Sequence, residues 1–90
     1  MSREIVLDAG QIMNKVSMSA YMREILPLPE YFGNNLDALH DALSEIDEDV
    51  VFLLTQDNVR RICSSTYAYR VLLVISDAAE ENRHINILFR

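Results

Sequence analysis

The sequence contains few of the residues that build disulfides or phosphate-binding loops. Cys63 is the only cysteine, and there are two glycines among 90 residues. A single cysteine excludes an intrachain disulfide, is typical of a reducing compartment and favours an inert core position over a reactive thiol. Two glycines leave little scope for a phosphate-cradling loop, and no HExxH, nucleophile-elbow or metal-spacing motif occurs. We therefore expect no metal, no cofactor and no catalytic residues.

Basic residues are also scarce. The chain has 8 Lys and Arg against 14 Asp and Glu, which gives a formal net charge of −6. Binding to a phosphate backbone requires clustered cations, so this balance disfavours nucleic acid as a direct partner and favours a cationic one. On charge alone, however, solubility is the simpler explanation of the acidic composition.

Long apolar runs are absent too. The two longest, residues 50–54 and 71–75, are far shorter than the roughly 20 residues that a membrane-spanning helix needs. The first ten residues lack the pattern of a secretory signal peptide. We expect a cytoplasmic protein that does not contact a membrane. Hydrophobic residues make up 50% of the chain, and this length and composition predict one globular domain that spans residues 1–90.

The spacing of the apolar residues predicts three strands and about four helices. The strands are expected at residues 3–8, 50–55 and 85–89, the first buried on both faces and the second the most buried. Helices are expected at residues 17–26, from residue 34 or 35 onward, at residues 57–62 and at residues 67–82, with Ser17 and Asp57 as N-caps. Strands that alternate with helices predict an α/β fold, a small parallel sheet with right-handed crossovers and helices packed against it.

Residues 67–82 are the ambiguous part of this prediction, because residues 71–75 have the β-branched composition of a buried strand. Periodicity alone does not separate a strand from a helix over so short a run. We predict a helix, since one apolar phase extends from Leu72 through Ile75 to Asn82 and the residues after the run favour helix.

The stretch from residue 26 to residue 43 organises the chain. Pro27 and Pro29 end the preceding helix and keep the chain extended, and Gly33 is expected to permit the turn that follows. Asn34 or Asn35 is a favourable N-cap for the next helix.

This helix is predicted to bury one face and to expose an acidic one. Its apolar stripe is formed by Leu36, Leu39, Leu43 and Ile46. Asp37 and Asp41 lie one turn apart on the other face, where two exposed carboxylates repel each other by about 0.2–0.5 kcal/mol. Something other than helix stability is therefore needed to explain this pair.

Residues 28–39, LPEYFGNNLDAL, followed by Asp41, closely resemble the signature of the barstar family, intracellular inhibitors of secreted ribonucleases of the barnase type. A proline, an aromatic pair, a glycine, an asparagine and two aspartates match at fixed offsets, and the resemblance extends over essentially the whole chain. It implies a three-stranded parallel sheet packed with helices. It also implies an inhibitor, an antitoxin or immunity protein, that blocks the active site of a guanyl-preferring ribonuclease with the acidic helix and its preceding loop.

Carried over by position, the resemblance implies that seven residues lie in or beside the partner interface: Tyr31, Asn35, Asp37, His40, Asp41, Ser44 and Asp77. Asp41 matches the central anchor of the family, the carboxylate that takes the place of an RNA phosphate among the cations of the enzyme. Asp37 and Tyr31 would support it, and Asp77 matches a further acidic contact position. His40 stands where well-studied members carry a tryptophan, and we expect it at the rim of the acidic patch. A ribonuclease cleft is built from cations, so a rigid pair of carboxylates finds charge partners there.

Two other interpretations stay open. His40 with Asp37 and Asp41 could form a metal site or an acid–base cluster of an enzyme, although no third element of such a site is recognisable. A binding module with the barstar fold could also use the same exposed acids for a partner that is not a ribonuclease. A tight 1:1 complex with a barnase-type enzyme would separate these interpretations from inhibition.

Overall fold

A computed structural model describes residues 3–29 and 32–90 of the chain. Within these residues, the strands are Arg3–Val6 (β1), Val50–Leu54 (β2) and Ile85–Phe89 (β3). The α-helices within them are Lys15–Ile25 (α1), Leu36–Ser44 (α2), Gln56–Cys63 (α3) and Thr66–Glu81 (α4), and Ala9–Gln11 forms a short 3-10 helix. Two α-helices separate each strand from the next, as the alternating pattern predicts.

The strands form a parallel sheet in the order β1-β2-β3, which confirms the predicted α/β fold. The register places Ile5, Phe52 and Ile87 side by side across the sheet. Parallel neighbours require long connections, and here each connection is a pair of helices. β2 is central and the most buried strand, as expected, because both of its edges and its covered face are shielded.

The helices cover one face of the sheet and leave the other to solvent. Ile5, Phe52 and Ile85 are buried on the covered face, whereas Val6 and Leu88 on the open face are 47% and 53% exposed. The prediction that β1 is buried on both faces is therefore wrong. β1 is an edge strand of a sheet with one covered face, so Ile5 faces the core while Glu4 and Val6 on either side of it are exposed.

The described α-helices begin at side-chain caps. An oxygen of the cap accepts a hydrogen bond from the amide three residues later at Asn14, Asn35, Thr55 and Ser65. The predicted caps Ser17 and Asp57 are wrong. Ser17 instead donates its amide to the Asn14 cap at 2.9 Å. Asp57 lies in the first turn of α3, where its charge complements the exposed amides of the helix end.

α4 is one continuous helix, which confirms the helical prediction for the ambiguous stretch. Its buried stripe consists of Ala68, Val71, Ile75 and Ala78. The predicted phase shares only Ile75 with this stripe, and Leu72 is half-buried. The β-branched residues fit this helix because burial of the stripe outweighs their small loss of side-chain freedom.

The core lies between the sheet and the helices. Its largest fully buried side chains include Phe52, Leu7, Ile12, Met18, Met22 and Leu39. Cys63 is exposed, contrary to the expected core position. It ends α3, and the residue that this helix buries is the adjacent Ile62.

Asn82 joins the C-terminal ends of α2 and α4. Its side-chain amide donates to the carbonyl oxygens of Leu43 and Ile46, both at 2.9 Å. Its side-chain oxygen accepts from the amide of His84 at 2.9 Å. Carbonyls at the end of a helix lack partners within it, so Asn82 supplies donors there and fixes α2 to the turn that leads into β3.

We expect Asn82→Ala to lower the free energy of unfolding by about 2 kcal/mol, because three hydrogen bonds of about 0.5–1.5 kcal/mol each are lost. Asn86→Ala is the matched control, since Asn86 is exposed on β3 and surface changes of this kind stay within about 0.5 kcal/mol. Urea titration followed by circular dichroism measures both variants. Equal losses would show that the Asn82 contacts do not stabilise the fold.

Candidate functional site

The chain enters α2 through a residue in the left-handed conformation. This residue is Asn34, with φ 59°, and not Gly33, whose φ is not positive. The prediction that Gly33 makes the turn is therefore wrong by one residue. Asparagine adopts this conformation more readily than most residues because its short polar side chain bonds locally. Asn35 then caps α2, with its Oδ1 accepting from the amide of Ala38 at 2.7 Å and its Nδ2 donating to the carbonyl of Gly33 at 3.3 Å.

α2 buries its apolar stripe and exposes its acidic face, as predicted. Leu39 and Leu43 are fully buried, and Ile46 completes the stripe beyond the helix end. Asp37 and Asp41 are exposed, and the side chain of Asp41 is 84% exposed. Neither carboxylate forms an ion pair with a Lys or Arg of the described residues. The pair therefore presents negative charge to solvent without a direct ion pair to a Lys or Arg in the described part of the chain.

His40 connects α2 to α4. Its Nε2 lies 3.1 Å from Oε2 of Glu81, and its Nδ1 lies 3.9 Å from Oδ1 of Asp41. The side chain is 33% exposed, so the ring is partly enclosed between the two helices. Glu81 was not identified as a site residue from the sequence, although its position four residues after Asp77, on the same helix face, was an available signal. His40 thus holds a third carboxylate beside the exposed pair.

A recess of about 460 Å³ runs along one side of α2. It is lined by Pro29, Phe32, Gly33, Ala38, Asp41, Ala42, Ser44 and Glu45. Two predicted site residues, Asp41 and Ser44, are therefore brought together. The Ser44 hydroxyl donates to the carbonyl of His40 at 2.9 Å, so this hydroxyl already has a hydrogen-bond acceptor within α2. Apolar walls with a carboxylate at the rim fit the stem and the head of a cationic side chain.

A second recess, of about 260 Å³, lies at the N-terminal end of α2 and is lined by Lys15, Asn35, Leu36, Asp37 and Tyr67. It brings Asn35 and Asp37 next to the first turn of α4. The hydroxyl of Tyr67 is buried and has no hydrogen-bond partner in the described part of the chain. Burial raises the pKa of this phenol, because its charged form is disfavoured away from water. Tyr67 belongs to no motif, so the sequence held no signal for it.

Two predicted site residues are not joined to α2 by a described contact. Tyr31 lies outside the described residues. Asp77 is exposed on α4, and its connection to the site is that it lies one turn before Glu81. The roles of the seven residues in partner binding therefore stay predictions.

The acidic segment that follows α2 is partly neutralised within the fold. Glu48 accepts a hydrogen bond from Nε of Arg3 at 3.0 Å. Asp49 lies 2.9 Å from Nδ1 of His84. These carboxylates are bound by Arg3 of β1 and by His84 in the turn before β3, which distinguishes them from the aspartates on the exposed face of α2.

Side chains that could hold a metal ion are not grouped in the described residues. No cluster of three or more His, Cys, Asp and Glu with suitable geometry occurs there, so a metal site formed by His40, Asp37 and Asp41 has no geometric support. No helix of residues 3–29 and 32–90 is long and apolar enough to cross a membrane.

Two comparisons with known proteins agree with each other. The family model described as Barstar (barnase inhibitor) matches residues 2–90. A protein of Bacillus subtilis (strain 168), named "Putative ribonuclease inhibitor YrdF", is 32% identical over 80 residues, which cover 88% of this chain and 88% of that protein.

We expect Tyr67→Phe to raise the free energy of unfolding by about 1 kcal/mol, because it removes a buried hydroxyl that lacks a partner. Tyr21→Phe is the matched comparison and should lower it by about 1 kcal/mol, since the Tyr21 hydroxyl binds the amide of Asp8 and the carbonyl of Val6. Chemical denaturation at pH 7 measures both.

The gain from Tyr67→Phe should grow above about pH 10, where tyrosine ionises in the unfolded chain. In the folded state the raised pKa of Tyr67 delays that ionisation, so the wild-type fold loses stability as pH rises, and the variant loses less because the contribution of Tyr67 is absent. A loss of stability in Tyr67→Phe at pH 7 would show that the hydroxyl has a partner in solution.

Proposed function

The chain belongs to the barstar family, and on that premise we propose that it is a protein inhibitor of a barnase-type ribonuclease, acting as an antitoxin or immunity protein. The observation that supports this most directly is the pair Asp37 and Asp41 on the exposed face of α2. Because neither is bound to a Lys or Arg of the described residues, both are available to the cations of an enzyme cleft.

The proposed mechanism is electrostatic occlusion of the active site. A ribonuclease stabilises the phosphate of RNA with cationic side chains, and Asp41 would take the place of that phosphate with Asp37 beside it. Hydrogen bonds between carboxylates and Arg or Lys are stronger than neutral ones. Binding would also relieve the repulsion between the two aspartates, which costs the free protein about 0.2–0.5 kcal/mol. The recess next to Asp41 would receive a cationic side chain from the edge of the cleft.

The fold supports this mechanism by fixing α2 before the partner arrives. Asn35 caps its first turn, and Asn82 binds the carbonyls near its last turn. A surface that is already ordered loses little conformational entropy on binding, so more of the interaction energy appears as affinity. The net charge of −6 would add long-range attraction to a basic enzyme. Tyr31, Asn35, His40, Ser44 and Asp77 would surround the two anchors.

A partner that is not a ribonuclease is the competing proposal, and His40 is the observation that favours it. At the position where well-studied family members carry a large indole, this chain has an imidazole that contacts Glu81. The rim of its acidic surface therefore differs in shape and charge. If the partner is instead a ribonuclease, the same difference predicts tighter binding to its own cognate enzyme than to barnase.

Titration of ribonuclease activity tests the proposed function. Barnase and any ribonuclease encoded beside the gene are assayed at fixed concentration while the protein is added. Inhibition that becomes complete at one protein per enzyme is expected. If neither enzyme is inhibited, the competing proposal of a partner that is not a ribonuclease is favoured.

We expect Asp41→Ala to weaken enzyme binding more than any other single substitution, by about 2–5 kcal/mol, because the cations of the cleft lose their buried partner. Asp37→Ala should rank next. Unfolding should hardly change, since both side chains are exposed and their removal creates no cavity. Dissociation constants and urea midpoints are measured on the same preparations.

Asp57→Ala is the control for Asp41→Ala, since it removes the same charge from the exposed first turn of α3. Its affinity should fall only slightly. If Asp41→Ala loses stability in proportion to its affinity, or if the affinity of Asp57→Ala falls equally, the proposed electrostatic occlusion of the active site fails.

We expect His40→Gln to change enzyme binding more than His84→Gln, because His40 contacts Glu81 and Asp41 beside the two anchors, whereas His84 contacts Asp49. Isothermal titration at pH 7.5 measures both variants. Equal affinity of both variants and the wild type would exclude a role of His40 in recognition.

A further inference from the structure

Arg23 makes an unusual number of contacts for an exposed side chain. It lies in the last turn of α1, and its Nε and Nη2 donate to Oδ1 of Asn34 at 3.2 and 2.9 Å. Nη2 also donates to the carbonyl of Phe32 at 2.7 Å. The guanidinium carbon lies 5.1 Å from the centroid of the Phe32 ring, which is within the range of a cation–π contact. The Arg23 side chain thus contacts both Phe32 and Asn34 of the loop before α2.

The residues that Arg23 holds set the start of α2. Phe32 is 4% exposed and anchors the loop in the core. Asn34 carries the left-handed turn with φ 59°, a conformation that costs a non-glycine residue free energy unless its surroundings hold it. The N-cap Asn35 follows immediately. Any movement at Asn34 would therefore rotate or fray the first turn of α2, which carries Asp37.

A direct role of Arg23 in binding the partner is disfavoured by charge. A cation beside an acidic surface repels a cationic enzyme and reduces the net attraction. The three donated hydrogen bonds direct the planar guanidinium toward the loop, which is the geometry that suits arginine and not lysine. The contacts of Arg23 with Phe32 and Asn34 explain a cation at this position, whereas attraction of a partner does not.

We propose that Arg23 is a positioning residue of the partner-binding surface: it holds Phe32 and Asn34 so that α2 presents its two aspartates in a fixed orientation. This inference rests on the proposed function for its consequence in binding. The contacts of Arg23 with Phe32 and Asn34, here called the clamp, exist in the free protein. Its loss lowers the fraction of molecules whose α2 is correctly placed, and the apparent affinity falls by that fraction.

Hydrogen exchange of the free protein tests the clamp without any partner. In Arg23→Met, the hydrogen-bonded amides of Phe32, Ala38 and Leu39 should exchange at least about tenfold faster than in the wild type, because local opening of the loop becomes easier. Amides of β2 should not change. Arg60→Met is the matched control, since Arg60 is also exposed in the last turn of a helix and contacts no part of this loop. Unchanged exchange at these three amides in Arg23→Met would overturn the proposal.

Binding to barnase, the probe enzyme, gives a second test. Whether Arg23→Met binds more tightly or more weakly than the wild type separates an electrostatic effect from a positioning role. Both arginine variants make the protein more negative by one charge, so electrostatics alone predicts equal or tighter binding for each. Arg60→Met should behave in this way. Arg23→Met should bind about tenfold more weakly, and Arg23→Lys, which keeps the charge without the planar fork, should lie between Arg23→Met and wild type. Tighter binding of Arg23→Met would overturn the positioning role.

Asn34→Gly separates the clamp from other effects of Arg23. Glycine accepts the left-handed conformation but offers no side-chain oxygen to the guanidinium. The losses from Arg23→Met and Asn34→Gly should therefore be less than additive in the double variant, whereas full additivity would mean that Arg23 does not act through Asn34. If the wild type does not bind barnase, the proposed function fails for this enzyme, and the exchange experiment alone upholds or overturns the clamp.

Discussion

The rotational setting of α2 about its own axis is the constraint on which the candidate site depends. The helix has nine residues, and within them Leu39 and Leu43 must face the core while Asp37 and Asp41 face solvent. A helical turn of 3.6 residues allows both only in one orientation. The apolar stripe supplies the energy that selects this orientation, because exposing two leucines would cost several kcal/mol by the usual transfer values of about 1.5–3 kcal/mol each. The position of the acidic pair follows from burial of the leucines.

A helix this short is not stable by itself in water, since helices below about 12 residues are marginal even in favourable sequences. Polar contacts at both ends of α2 add to the stabilisation that its packing against the core provides. Asn35 satisfies an amide of the first turn, and Asn82 reaches from the end of α4 to the carbonyls at the other end. His40 adds a lateral contact to Glu81. The contacts of Glu81 and Asn82 come from the end of α4, far from α2 in the chain, so the surface on α2 is a product of the whole fold.

The distribution of charge supports a binding role for α2 over general solubility. Glu48, Asp49 and Glu81 have basic neighbours among the described residues, as acids that serve the fold often do. Asp37 and Asp41 instead stand one turn apart with only the weak approach of His40 to Asp41 at 3.9 Å. Uncompensated like charges lower stability by a few tenths of a kcal/mol, which is typical of surfaces kept for a partner of opposite charge.

The sequence by itself predicted the parallel α/β fold, a helix over residues 67–82, which the structure has at Thr66–Glu81, and the two faces of α2. These features follow from the period of apolar residues, from prolines and from local capping, all of which act over a few positions. Asn35 was one of two asparagines that local chemistry allowed as the cap. The motif around Asp37 and Asp41 also identified the family that the comparisons show.

Other features were decided only by tertiary structure. The open face of the sheet and the exposure of Cys63 depend on which layer covers which side, and a local pattern does not contain that information. The left-handed conformation of Asn34 accompanies its contacts with Arg23 of α1. Glu81 and Asn82 acquired their roles through contacts with α2 and the residues that follow it, which are distant in sequence. Arg23 acquired its role through contacts with the loop before α2, and Tyr67 through burial of its hydroxyl. Whether such a side chain finds a partner depends on how the elements pack, because a hydrogen bond requires an approach of about 3 Å that only the folded chain establishes.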